Sequence, residues 1–550
     1  MARLDRLVTA KGIAQIGAII GRQFAYDLLQ AVSQVDEMML QHELGRLVEA
    51  EIVYQRGLPP QAYYFFKHAL IRDSAYESLL KSTRQHYHQR IAQVLETQFP
   101  ETAETQPELV AHHYTEAGLT EKAVHYWYHA GQGTAKRSAH AEAIAHLRTG
   151  LELLKIVLET PERVQREVDL LIALGASLNA TKGQAAPEVE QTYSRARHLC
   201  QHLDDPHQLF PVLRGLWQYY NSRAELQTAH TLGEQLLTLA QQAQDTVLHL
   251  AAHRALGATL FFLGELASAH THFTQGIALY DAQQHRASAF LYGENAGVLS
   301  HICDARALWF MGYPDQGLVR SQEAIILAQQ STHSVSLSFT LSTAAIFHSF
   351  RREVRCTQEC ADGVTRLAQE QGFPHWMAIG AMLRGWALAH QGQAKEGIAQ
   401  ITEGLTASRG TGTETLRPYF LSLLAEAYGI IGQPEAGLTA LTEALTHVET
   451  TGERWCEAEL YRLQGALLLQ QASDNATEAE SCFHHALDIA RHQQAKSFEL
   501  RSAMSLSRLW QQQGKRAAAR ELLAPVYGWF TEGFDTADLQ EAKALLDALA

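Results

Sequence analysis

The feature that most constrains this chain is the stretch 255–277, ALGATLFFLGELASAHTHFTQGI. Two apolar helical patterns meet at Gly264. Leu256, Gly257 and Leu260 precede it; Ala269, Phe273, Gly276 and Ile277 follow. Small residues stand where two helices must touch, and large ones where a core must fill. Such a helix–turn–helix unit cannot bury its apolar face alone, so it implies stacked neighbours. Phasing the chain against Gly264 places further turns near Gly118, Ser138, Lys182, Ala224, Gly312, Arg351, Gly392, Gly432, Ala472 and Gly514. From Gly264 the intervals run 48, 39, 41 and 40 residues, a period near 40. The phase repeats as a small residue five positions after the turn and a large one nine after: Ala123 and Trp127, Ala269 and Phe273, Gly437 and Leu441, Ala519 and Leu523. Gly317 and Ser321 follow the pattern less well. Ser473-Asp-Asn475 reads as a two-residue insertion. Gly118 and Ser138 are only 20 positions apart, which predicts a compact start with three helices sharing one turn position.

At 550 residues the chain exceeds a usual single core, as a repeat array does. Hydrophobic residues make up 46% and there are only 13 prolines, which suits long helices. No apolar run reaches the length of a membrane span, so no membrane contact is expected. Six scattered cysteines read as reduced thiols of a cytoplasmic protein. Net charge is −14; residues 1–100 carry 11 basic and 10 acidic groups, so the acidity lies in the array. An acidic array is a poor partner for nucleic acid.

Residues 1–100 do not follow the repeat. Helical patterns run over Arg3–Ile20, Ala25–Ala31 and Asp36–Ala50. Two β-branched and aromatic runs follow, Ile52–Arg56 and Ala62–Lys67, around the turn residues Gly57-Leu-Pro-Pro-Gln. Helices over His68–Leu80 and Thr83–Gln98 complete the region. This order predicts a small winged-helix domain with one β-hairpin over 1–100, and an all-α solenoid of about eleven units over 101–550. The third helix would enter DNA, but it carries Asp36, Glu37, Glu43 and Glu49 against Arg46, so no DNA binding is expected.

The small and bulky positions of the array resemble tetratricopeptide repeats, whose period is about 34. The resemblance implies a right-handed superhelix with a concave binding surface. Lys67-His-Ala-Leu-Ile-Arg-Asp73 resembles the histidine motif in the winged helix of STAND-class signalling ATPases. The longer string from His68 to Leu80 is similar to a bacterial subset that joins an adenylate/guanylate cyclase domain, a P-loop ATPase and a tetratricopeptide array. Ala2–Leu7, Ala14–Arg22, Leu506–Trp510 and Phe534–Asp538 fit the same subset. The resemblance implies that His68 contacts the nucleotide diphosphate held by a partner ATPase domain. No G-x-x-x-x-G-K-[ST] is present, so ATP or ADP is expected only if an ATPase domain is supplied, in cis or in trans. The chain reads as the C-terminal piece of a longer protein or a shortened regulatory arm.

No catalytic set is readable, and this chain is expected not to be an enzyme. Gly131–Lys136 lacks the strand and spacing of a phosphate loop. His42-Glu43 lacks its second histidine, since Arg46 stands there. Cys356 and Cys360, one turn apart, fall on packing positions, and His86/His88, His112/His113 and His484/His485 lack convergent ligands; no metal site is expected. One positive feature remains. Phe261, Phe262, Trp309 and Phe310 precede turns at positions that face the inner groove in this repeat type, and Arg254 and Arg306 share their helices. Such a strip suits a peptide carrying apolar and acidic residues. The expected function is a non-catalytic interaction and sensor arm coupling a protein or effector ligand to an ATPase and cyclase output. The alternatives are the C-terminal part of a nucleotide cyclase and a winged-helix transcription regulator.

Overall fold

In the computed structural model, residues 7–201, 205–283, 285, 289 and 293–550 are described. The chain divides into two compact units, Met1–Leu170 and Leu171–Ala550. The division falls inside the long helix Pro161–Lys182.

The first unit opens with α1 (Val8–Ile20), β1 (Gln23–Ala25), α2 (Tyr26–Ser33) and α3 (Glu37–Glu49). The first turn of the expected Arg3–Ile20 helix lies outside the described residues. Asp36 caps α3, its carboxylate accepting from the Met38 backbone N–H at 3.0 Å. Then come β2 (Val53–Arg56), β3 (Tyr63–Phe66), α4 (Ala69–Glu77) and α5 (Lys81–Gln98). The expected hairpin is present as β2 and β3, but the sheet has a third strand. Its order is β1-β3-β2, antiparallel, with Tyr64 opposite both Phe24 and Gln55. Phe24 and Tyr64 turn inward with Phe66 onto Leu40, Leu44 and Leu47 of α3. A Cβ at Gly17 would stand 2.7 Å from the Phe24 ring, so α1 lies hard against β1 only because that side chain is absent. Helices Pro107–Ala117, Thr120–Lys136 and His140–Leu154 follow in succession. Gly118 and Ser138, both with positive φ, end consecutive helices. Three helices therefore run through the region with two separate turns between them, not the one shared turn position expected.

The second unit is a tetratricopeptide-like array of helix pairs closed by the single helix Ala537–Ala548. Its regularity is carried by left-handed residues at helix ends. Gly312, Thr332, Arg352, Gly372, Gly392, Gly412, Gly432 and Gly452 all have positive φ, one every 20 residues. The turns expected at Lys182 and Arg351 fall one residue later, at Gly183 and Arg352. Near Ala472 the left-handed residue is replaced by a short 3₁₀ turn, Ser473–Asn475, where the insertion was expected. Within a pair the contact is close: a Cβ on Gly257 would stand 2.7 Å from the Phe273 ring.

The array also touches itself at long range. The Ser222 carbonyl accepts from the Glu414 and Thr415 N–H groups at 2.9 and 3.1 Å. The Phe262 carbonyl accepts from Arg454 N–H at 2.8 Å and Trp455 N–H at 3.3 Å. Ser497 Oγ donates to the Trp309 carbonyl at 2.5 Å. Gly533 N–H donates to Asp315 Oδ2 at 2.9 Å. Partners in this seam stand 188 to 218 positions apart. At the first three sites, five helix pairs separate the partners, so the array completes a turn and hydrogen-bonds to its own next turn. Helix Thr246–Leu263 is long and apolar enough to cross a membrane, but 72% of it is buried inside this unit, which accounts for its apolarity.

Candidate functional site

The seam closes the groove that an open array would present, and this decides where the predicted groove residues lie. Phe261, Trp309 and Phe310 line no open surface. They sit at 0, 3 and 0% exposure in an aromatic cluster with Phe350, Tyr419, Trp455 and Phe498. Trp455 is its centre, 5.3 Å from Phe261, 5.6 Å from Phe310 and 5.6 Å from Tyr419. These rings come from both sides of the seam, so they fill space that the next turn of the array would otherwise leave empty.

Arg254, Phe262 and Arg306 have a different place. They line a partly open chamber inside the second unit with about 70 Å³ of free space. Helices Thr246–Leu263 and Ala296–Phe310 supply the arginines. Trp217, Phe339, Trp376 and Phe420 give it aromatic walls; Thr343 and Asn221 add polar groups. Ser222, Thr415 and Leu416, at the seam, line it too.

Charge in this chamber is unbalanced. Arg214 pairs with Glu294 at 2.5 Å, both side chains nearly fully buried. Burial alone would raise the Glu294 carboxyl, but Arg214 and then Arg254 hold it below the ordinary range, so it is ionised. Arg254 and Arg306 are 3 and 4% exposed, and no carboxylate pairs with either among the described residues. Arg254 stacks its face over Phe339 at 5.3 Å and Trp217 at 5.8 Å. Arg306 lies over Phe261 at 4.5 Å. Stacking occupies the faces of the guanidinium groups and leaves their edges. Nε and Nη1 of Arg254 and Nε of Arg306 are buried with no hydrogen-bond partner. Burial, with Arg254 adding to it, lowers the Arg306 pKa. His375 is held neutral, burial taking it down to about 4. Glu453, behind Leu416, accepts from the Leu416 N–H at 2.9 Å and from Trp455 Nε1 at 2.8 Å. Burial pushes its carboxyl up to about 7, so at neutral pH it gives Arg306 only part of a charge.

The remaining candidates stand apart. His68 is exposed at the N-terminus of α4 and makes no side-chain capping bond. His88 and His113 meet in the first unit, Nδ1 to Nδ1 at 2.8 Å, with Tyr76 Oη 3.2 Å from His88 Nε2. Burial lowers both histidines, His88 to about 4, so this is a neutral hydrogen-bonded pair within the packing. Cys356 lies near His348 and Glu353, a grouping that could hold a metal ion by distance. The Glu353 carboxylate, however, is already shared by His348 at 2.5 Å and Arg351 at 2.8 Å, and burial raises the Cys356 thiol. Sequence reasoning missed Arg214, Glu294, Trp217 and His375. Arg214 and Trp217 share the helix Pro206–Ser222, but Glu294 and His375 lie about 80 and 160 positions further on, and no local spacing connects the three places.

No protein-family profile matches the chain. A protein of Rhizobium meliloti (strain 1021) described as uncharacterized is 25% identical over 515 residues, 92% of this chain and 49% of that one. The chain thus spans about half the length of this relative. Among solved structures, a Rap protein complexed with competence and sporulation factor aligns with TM-score 0.47 at 10% identity, over 73% of this chain and 99% of its own. A STAND protein with a tetratricopeptide repeat sensor from Pyrococcus horikoshii aligns over 98% of this chain and 65% of its own, with TM-score 0.34 at 10% identity. Aspartyl phosphate phosphatase F from Bacillus subtilis covers 67% of this chain and 94% of its own, with TM-score 0.37 at 10% identity. These superpositions are loose and carry no functional inference.

Proposed function

We propose that this chain is the non-catalytic sensor arm of a STAND-type regulator, and that its effector site is the chamber of the second unit. The observation that carries the reading is a cavity lined by two buried arginines that form no ion pair with a carboxylate among the described residues. A folding core gains nothing from such groups; a binding site does. The coupling follows from the seam. A ligand shifts an equilibrium only if it binds two states differently. Ser222 and Thr415 both close the seam and line the chamber, so an occupant holds the two turns of the array together and an empty chamber lets them part.

On this reading residues 1–100 form a winged helix that docks on an ATPase domain, with His68 at its exposed rim toward the nucleotide. The motif 67–73 supports that part. A cyclase output, a cytoplasmic location and dependence on ATP or ADP belong to the same proposal. Reading residues 1–100 as a DNA-binding domain has less support. α3 exposes Met38 and Met39 at 81 and 58%, and its Arg46 is tied to Glu43 at 2.9 Å and Thr9 at 3.0 Å.

The test uses the whole gene product together with whatever its reading frame encodes ahead of this chain. Ala258 lines the chamber, and Ala258→Trp fills it. ATP turnover of the intact protein should change severalfold in a variant whose melting is otherwise cooperative. Unchanged turnover in the folded variant, or an intact protein with no ATPase domain and no ATPase partner, sinks the proposal.

A further inference from the structure

We infer that the ligand of this chamber is a small oxyanion, a carboxylate or phosphate carried on a flat apolar body, gripped by the free edges of Arg254 and Arg306. The inference rests on the chamber being the effector site and adds the chemistry of the occupant.

Three arginines, Arg214, Arg254 and Arg306, face one ionised carboxylate, Glu294. A buried charge is costly unless paired. Arg214 is paired; among the described residues the other two form no ion pair. A guanidinium presents its donors in the plane of the fork, and that geometry matches an oxyanion. Ring stacking on Phe339, Trp217 and Phe261 fixes both planes and leaves Nε and Nη1 of Arg254 and Nε of Arg306 without a hydrogen-bond partner, on residues that line the chamber. The site is therefore organised before the ligand arrives. An apolar ligand would leave the same donors unsatisfied, and a neutral acceptor would leave the charge unpaired. A cation would meet two like charges.

Size narrows the class. At about 10–15 Å³ for each water, the 70 Å³ of free space holds about five waters. That suits a single carboxylate or phosphate group, whose attached body lies against Trp217, Phe262 and Trp376. An acidic peptide, which an open groove would have suited, exceeds the 70 Å³ of free space.

The experiment uses the 550-residue chain, with calorimetry and thermal melting at constant ionic strength. The probes are benzoate, its neutral isostere benzamide, and inorganic phosphate. Benzoate, phosphate or both should bind saturably and raise the melting temperature, while benzamide should not. Arg254→Met and Arg306→Met should each weaken anion binding at least about tenfold, the loss of charge-assisted hydrogen bonds. Arg355→Met, at an exposed surface pair, should leave it unchanged. If a methionine variant fails to fold, Arg254→Lys keeps the charge, loses the fork and should still weaken binding. Preference for benzoate over phosphate assigns the occupant to carboxylates, and the reverse to phosphates. Equal binding of benzoate and benzamide, insensitive to both arginines, overturns the oxyanion while the chamber remains an effector site. Binding of none of the probes also overturns it; the chamber reading is then judged separately by the turnover of Ala258→Trp.

Discussion

The aromatic cluster around Trp455 borders two cavities of the second unit, and they treat charge in opposite ways. Phe262 lines the arginine chamber; Phe350 and Tyr419 line a second cavity of about 230 Å³. That second cavity holds Arg352, Arg462, Arg501 and Arg508 against Glu426, Glu459, Asp538 and Glu541. Its charges pair within the protein. Arg501 reaches Asp538 at 2.8 Å and Glu459 at 3.3 Å, Arg462 reaches Glu459 at 2.8 Å, and Arg508 reaches Glu541 at 2.8 Å. Burial would raise the Glu426 carboxyl, but His390 and Trp386 hold it at about 2. The balanced cavity completes the fold. The unbalanced one is the chamber for which we propose an anionic ligand. Arginine content alone does not separate structural from binding sites; what separates them is whether the carboxylates are present.

The largest expected effect falls on what the two cavities share. Trp455→Ala removes the centre of the aromatic cluster and should cost about 4 kcal/mol in chemical denaturation, the usual penalty for a fully buried tryptophan. Arg501→Met should cost about 3 kcal/mol by the same measurement, because it leaves Asp538 only the longer contact to Arg352 and Glu459 only Arg462 in a buried network. Glu453→Gln brings pH into the comparison. In the folded protein its carboxyl is raised from 4.5 to about 7. Between those values the folded state holds a proton that the unfolded chain has lost, so its stability is greatest at the acid end and falls as pH rises through 7. The amide removes that dependence. The variant should be about 2 kcal/mol more stable than the wild type at pH 8, and the difference should shrink toward zero by pH 5. The smallest effect has the opposite sign to Arg501. With no ligand present, Arg254→Met removes an unpaired buried charge and should stabilise the chain by about 1 kcal/mol. If Arg254→Met instead destabilises as much as Arg501→Met, the two cavities are alike and the contrast between them fails.

The repeat was legible because its turns are local. Gly264, Gly312, Gly392, Gly432 and Gly514 announce left-handed helix ends by residue type. Arg352 and Ala224 occupy the same conformation without glycine; there only the phase pointed to a turn, and at Arg352 it fell one residue early, on Arg351. Strand β1 escaped because three residues carry no alternation, and its partner β3 lies some 40 positions on. The chamber was half legible. Arg254, Phe262 and Arg306 were picked out as binding residues, but Phe261, Trp309 and Phe310 were placed with them on an open groove. What assigns the latter to packing is the seam, formed by residues nearly 190 positions apart. No window of sequence contains that information, since a helix whose two faces are both buried reads the same whether a ligand or another turn covers it.

The seam has a consequence for evolution and engineering. In an open solenoid each repeat touches only its neighbours, so a unit can be gained or lost at modest cost. Here the Phe262 carbonyl must meet the backbone of Arg454 and Trp455, five helix pairs later. Excising one pair of 40 residues between them would slide every later helix along the thread by one tooth and break all of its meshing contacts together. Length between those points is therefore inherited as a fixed quantity. Lineages of this array should vary in unit number at their ends, and hold the count constant inside the turn.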